Sequence, residues 1–188
     1  MENEAGRPGL PLDVVIGLGA NLGDREAALR ASVRELARFG ELVGLSALYR
    51  TLPVGGPPQP DFLNAAARLR FGGPPEALLA EALGIERRAG RERLTRWGPR
   101  RLDLDILWIR GVRVVTADLI VPHPRLRERA FALRPLADVA PDAVDPVDGV
   151  VYGDLLAGLG EEGIECLGAG WAGAIEAQVP RGMDSPCA

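Results

Sequence analysis

The chain of 188 residues contains no lysine, so all 22 of its basic residues are arginine. A Schiff-base lysine and a phosphate-loop lysine are thereby excluded. Histidine occurs once, at His123, and cysteine twice, at Cys166 and Cys187. Two thiols and one imidazole make neither a zinc cluster nor a disulfide framework. No apolar run approaches the roughly 18 residues of a membrane-spanning helix. The start, MENEAGRPGLPLD, is acidic and broken by Pro and Gly, unlike a signal peptide. A cytoplasmic setting is expected. A global basic excess is missing too: 26 acidic residues against 22 basic give a net charge of -4, which argues against a whole-surface nucleic-acid binder.

What is present is ordinary for one globular domain: 47% hydrophobic and 26% charged residues. We expect a flexible leader over 1–11, a main domain over 12–150, an extension over 151–177 whose packing the sequence leaves open, and a disordered tail over 178–188. Residues 12–19 (LDVVIGLG) suit a buried strand. Asp24 is a helix cap, with a helix to about residue 39, Ala28, Val33, Leu36 and Ala37 as its apolar stripe, and Gly40 as its stop. Strands are expected over 42–50 and 62–71, around the loop TLPVGGPPQP at 51–60. A second helix begins at Pro75 and ends at Gly90, with Leu78, Leu79, Ala82, Leu83 and Ile85 inward. A strand over 102–109, a turn at 110–111, a strand over 112–115, a helix over 126–138 and a short helix over 152–158 complete the reading. Strand, helix, strand, strand, helix, strand predicts an α+β ferredoxin-like sandwich, helices packed on a mostly antiparallel sheet.

The most informative segment is RWGPRRLDLDIL, residues 96–107. Strand residues two apart share a face, so Asp103 and Asp105 project together, opposite Leu102, Leu104 and Ile106. Adjacent carboxylates repel unless a cation sits between them, and hard oxygen ligands suit Mg2+. The same spacing also fits a solvent-facing strand edge. Between 87 and 101 stand seven arginines (87, 88, 91, 93, 96, 100 and 101) against one acid, Glu92. Guanidinium forks match phosphate oxygens. Carboxylates, a divalent ion and arginines together suit a metal–polyphosphate site. A solvated basic loop, or an RNA-backbone patch with Trp97 as a stacking platform, uses the same charges.

RWGPRRLDLDIL resembles the signature of the 6-hydroxymethyl-7,8-dihydropterin pyrophosphokinases. IGLGANLGD, YRTLPVGGPPQPDFLNAA and VPHPRLRERAFALRPL extend the resemblance, in order, over about residues 13–145. It implies transfer of pyrophosphate from ATP to a pterin hydroxymethyl group in folate biosynthesis, with AMP released and two Mg2+ ions. Asp103 and Asp105 then hold both metals. Arg91 and Arg93 match arginines of a mobile catalytic loop. Arg100, His123 and Arg129 match triphosphate contacts, and Glu86 and Ile106 fall beside the nucleotide. Trp97 matches a loop residue that seals the site. Phe62 and Phe131 match an aromatic pair that sandwiches the pterin, and Asn64 an amide that reads its polar edge. Gly19, Thr51, Pro53 and Val54 match pterin-lining positions. Leu52 and Pro124 depart from common family residues, as do Asp118 and Ile120 near the nucleotide. A monomer without nucleic-acid or membrane partners is expected. The competing class is a non-catalytic RNA-binding module, whose usual strand motif of spaced aromatics the sequence lacks.

Overall fold

The run Val14-Val15-Ile16 is β-branched and fully buried, as suits a central strand. It lies in β1 (Leu12–Ala20), which pairs antiparallel with β4 (Phe62–Phe71) on one side and β5 (Asp103–Ile109) on the other. The computed structural model describes residues 10–90, 98–173 and 175. The sheet order is β5-β1-β4-β3-β8, with β2 (Gly40–Leu45) also on β4, β3 at Leu48–Thr51 and β8 at Ile164–Gly168. Among the described residues the strands of this sheet all pair antiparallel. A two-stranded ribbon joins β6 (Val114–Val115) to β7 (Ile120–Val121). The architecture is the α+β sandwich expected from the element order.

Each sheet face carries its own core. On one, α1 (Arg25–Leu36) and α2 (Pro75–Arg88) cover Val14, Ile16, Leu18, Leu104 and Ile106. Asp24 caps α1 as expected, its Oδ1 accepting from Ala27 N at 3.0 Å. The buried stripe of α1 is Leu29, Ser32, Val33 and Leu36, turned away from the expected Ala28 and Ala37 because the larger Leu29 takes the core position. Gly40 does not stop the helix by a left-handed conformation. It opens β2, where an added Cβ would lie 2.8 Å from the Arg70 carbonyl oxygen. On the other face, α3 (Ala130–Val139) and α4 (Tyr152–Leu159) cover Val15, Ala66, Leu107 and Trp108.

Two further features depart from the reading of the sequence. The strand expected over 42–50 is broken at Ser46 and Ala47. The break is stitched by side chains: Ser46 Oγ accepts from Ala66 N at 2.8 Å, and Asp138 Oδ2 accepts from Ala47 N at 3.3 Å. The segment after 160 adds an edge strand, β8, beside β3, and sends Trp171 into the core under α1 and α2. There the indole donates to the Ser46 carbonyl at 2.9 Å. Cys166 on β8 is disulfide-bonded. Among the described residues no helix is long and apolar enough to cross a membrane.

Candidate active site

The face under α3 and α4 loses side-chain volume toward one end. On β1 the inward residues run Val15, Gly17, Gly19, and on β4 Ala66, Asn64, Phe62. The glycines leave bare backbone, and the vacated surface is the floor of a pocket of about 940 Å³, open mouth included. An added Cβ at Gly17 would sit 3.1 Å from the Leu107 side chain, and one at Gly19 3.1 Å from Asn64 Oδ1.

Asp103 and Asp105 reach this floor from β5, opposite Gly19 and Gly17 in register. A β-bulge limits the alternation: Ile16 pairs with Ile106 and Val15 with Trp108, so Leu107 has no partner. Leu107 and Trp108 therefore both enter the α3 side, and Ile109 returns to the core under α1 and α2. Asp103 and Asp105 precede the bulge, so both keep the pocket face.

The electrostatics concentrate here. Burial first, then the Asp103 charge, pushes the Asp105 carboxyl up to about 6. Arg100 pairs with Asp103 through Nη1 and Oδ2. Arg129 follows the 3-10 turn Leu126–Glu128, and its guanidinium lies 5.7 Å from the Phe131 ring centroid. Burial lowers His123 to about 4, with Arg129 adding to the effect. Its Nδ1 accepts from Arg125 N at 3.2 Å, which leaves the proton of the neutral ring on Nε2.

At the apolar end, Phe62 and Phe131 line the same pocket, with Leu52 and Val54 at its rim. Asn64 is 8% exposed and donates from Nδ2 to Thr51 Oγ1 at 2.7 Å. With Nδ2 on Thr51, Oδ1 is the edge held over Gly19.

Of the residues singled out from the sequence, the fold gathers Gly19, Thr51, Val54, Phe62, Asn64, Arg100, Asp103, Asp105, Arg129 and Phe131 around this cavity. Pro53, half-buried, is not in the lining. His123 lines a neighbouring cavity of about 500 Å³. Glu86 and Ile106 lie instead on the sheet face covered by α1 and α2. Glu86 is 1% exposed and accepts the Leu104 N–H at 2.7 Å, and Ile106 is 5% exposed in the core. Arg91, Arg93 and Trp97 lie outside the described residues. The sequence reading missed Asn21, Gln59 and Arg125. Asn21 and Gln59 carried a signal in the polar residues of ANLGD and PPQPD, but their partners are distant in sequence.

The donor set fits a hard divalent cation. Among the described residues no group of three or more His, Cys, Asp or Glu comes together. Two carboxylates on one face, one of them with its charged form disfavoured by the other, match the sparse protein ligation of Mg2+, which completes its shell with phosphate oxygens and water.

The model of the family 7,8-dihydro-6-hydroxymethylpterin-pyrophosphokinase (HPPK) matches residues 15–141. A 2-amino-4-hydroxy-6-hydroxymethyldihydropteridine pyrophosphokinase of Methylorubrum extorquens is 44% identical over 152 residues, 80% of this chain and 95% of the relative. One of Synechocystis is 43% identical over 137 residues, 72% of this chain and 70% of the relative. Among solved structures, a Plasmodium falciparum HPPK-DHPS shares the fold with a TM-score of 0.63 at 14% identity. That alignment covers 84% of this chain and 46% of the other. Both the extent of the family match and the identity to the bacterial relatives place this chain in the 7,8-dihydro-6-hydroxymethylpterin-pyrophosphokinase family.

Proposed function

We propose that this protein transfers pyrophosphate from ATP to the hydroxymethyl oxygen of 6-hydroxymethyl-7,8-dihydropterin, giving the pterin diphosphate and AMP, a step of folate synthesis. One observation carries the reading: a single cavity joins a carboxylate pair flanked by arginines to an apolar end with two phenylalanines and an oriented amide.

In this reading the flat pterin lies between Phe62 and Phe131, an arrangement worth about 0.5–1.5 kcal/mol per ring pair beyond burial. Asn64, with its Nδ2 committed to Thr51, presents Oδ1 to a donor on the ring edge. Arg100 and Arg129 meet the triphosphate at the other end, joined by Arg91 and Arg93. His123 is neutral near pH 7, so it serves phosphate oxygens as an Nε2–H donor rather than as a cation. Asp103 and Asp105 would hold two Mg2+ ions. When bound there, magnesium supplies neutralisation of the triphosphate charge and alignment of its groups. The pterin oxygen attacks the β-phosphorus in line, its proton leaves, and the β-phosphorus bond to the α-bridging oxygen breaks, releasing AMP. The residues contribute by position and charge, with no covalent enzyme intermediate.

An assay for AMP release from ATP tests the reading. AMP should form only when the pterin and Mg2+ are both present. Salt-dependent RNA binding with no AMP formed would replace it with a nucleic-acid-binding role.

A further inference from the structure

Asn21 follows β1 and is 2% exposed. Its side chain spans two loops. Oδ1 accepts the backbone N–H of Arg100 at 2.6 Å. Nδ2 donates to the Pro60 carbonyl at 3.1 Å and to Gln59 Oε1 at 2.9 Å. The amide can face only one way, because a backbone N–H only donates and a backbone carbonyl only accepts. The main chain repeats the link: Asn21 N and Leu22 N both donate to the Arg100 carbonyl, at 2.9 and 3.2 Å. Arg25, at the start of α1, adds a bond to the Asp61 carbonyl at 2.7 Å.

The two segments held this way carry opposite ends of the cavity. Arg100 bears the guanidinium paired with Asp103. Gln59 to Asp61 runs directly into Phe62 and Asn64 on β4. One buried amide is thus bonded to the phosphate side through Arg100 and to the ring side through Pro60. Asn21 itself is not among the residues that line the cavity, although Arg100 and Gln59 are, so the contribution of Asn21 is to spacing rather than to contact.

We propose that Asn21 is a positioning residue, fixing the distance between the phosphate-binding and ring-binding halves of the cavity so that the acceptor hydroxyl meets the phosphorus in line. The inference rests on the pterin–ATP reading above. Geometry of this kind acts on the reacting pair more than on either ligand alone, and a misplacement near 1 Å costs roughly a hundredfold in rate.

The test uses the full chain with N21D, N21A and Q59A. Asp at 21 keeps the acceptor for Arg100 N–H but sets a carboxylate oxygen against the Pro60 carbonyl. Ala removes all three side-chain bonds. Half-buried Gln59 can be cut back without opening the core but itself lines the cavity, so Q59A decides the matter, if the Asn21 variants do not fold, by whether single turnover falls while the affinity for each ligand alone is kept. Readouts are affinity for Mg2+ with α,β-methylene ATP alone, affinity for 6-hydroxymethylpterin alone, single-turnover AMP release, and hydrogen exchange at the Arg100 amide. N21D should bind the nucleotide analogue within about threefold of wild type and slow single turnover by about 10- to 100-fold, more than its loss in pterin affinity. N21A should also speed exchange at the Arg100 amide, and N21D should not. Q59A should slow the same step by a smaller factor. Wild-type single-turnover rates in these variants, or a rate loss matched by the lost affinity of each ligand alone, would overturn the proposal. If the wild-type protein forms no AMP, the functional reading fails. Exchange at Arg100 then still decides whether Asn21 is the clamp: unchanged exchange in N21A overturns it.

Discussion

Glu86 Oε1 accepts the N–H of Leu104 at 2.7 Å, so a buried carboxylate on α2 grips the peptide that separates Asp103 from Asp105. β5 is the edge of the sheet, and Glu86 takes the place of the neighbouring strand that this N–H lacks. E86A leaves a buried donor unsatisfied, at a cost of about 1–3 kcal/mol. E86Q retains an acceptor and should stay close to wild type. Denaturant unfolding, with hydrogen exchange at Leu104, separates the two; equal stability in E86A and wild type would show the bond to be dispensable.

Asp105 should set a pH dependence of one sign in the ligand-free protein and, on the proposed reading, of the opposite sign for Mg2+ binding. Its pKa rises from 3.8 to about 6, by burial and then by the Asp103 charge. Folded pKa exceeds unfolded pKa, so this group's stabilising effect is full below about pH 4 and lost as pH rises through about 6. At pH 7 the ligand-free fold therefore carries a disfavoured charge, and D105N should stabilise it by roughly 1–3 kcal/mol. Mg2+ binding should instead weaken as pH falls through that range. Thermal melts of both proteins across about pH 4.5–8, with Mg2+ titrations, check both slopes.

D103N, by contrast, should lower AMP release by about a thousandfold or more while the circular dichroism spectrum stays native. Turnover near wild type in that variant would remove Asp103 from the metal site.

F62A and F131A should each weaken pterin binding by about two- to twelvefold through lost stacking alone, and by more where burial is also lost. Affinity for the nucleotide analogue should stay near wild type in F62A. Calorimetric titration with each ligand separately distinguishes the ring-binding end from the phosphate end.

Trp171 tests the C-terminal segment. It is 5% exposed, packs in the core under α1 and α2 and donates to the Ser46 carbonyl at the strand break. W171A should cost about 3–5 kcal/mol of stability. AMP release per folded molecule, measured well below the melting temperature, should not change.

Much of the fold was legible because local chemistry marks it. Asp24 before an amphipathic stretch, Pro75 opening a helix and Gly90 closing one each report on their own few residues. Alternation in LDLDIL likewise reports which side chains share a face. Features that depend on a distant partner were not legible. The break at Ser46 and Ala47 reads as unbroken strand until Asp138 and Trp171 arrive from 91 and 125 residues away. β8 has a weak pattern of its own and is a strand because β3 offers it an edge.

The same division runs through the site. Sequence alone determined that Asp103 and Asp105 point together, since a strand's period of two is a property of the backbone, and that arginines crowd beside them. Only the tertiary structure decided that Glu86 turns to the peptide between the aspartates, that the bulge at Leu107 ends the alternation, and that Asn21 joins Arg100 to Pro60. Those outcomes follow from buried polar groups needing partners across the fold, and the identity of each partner is settled only when separate elements pack.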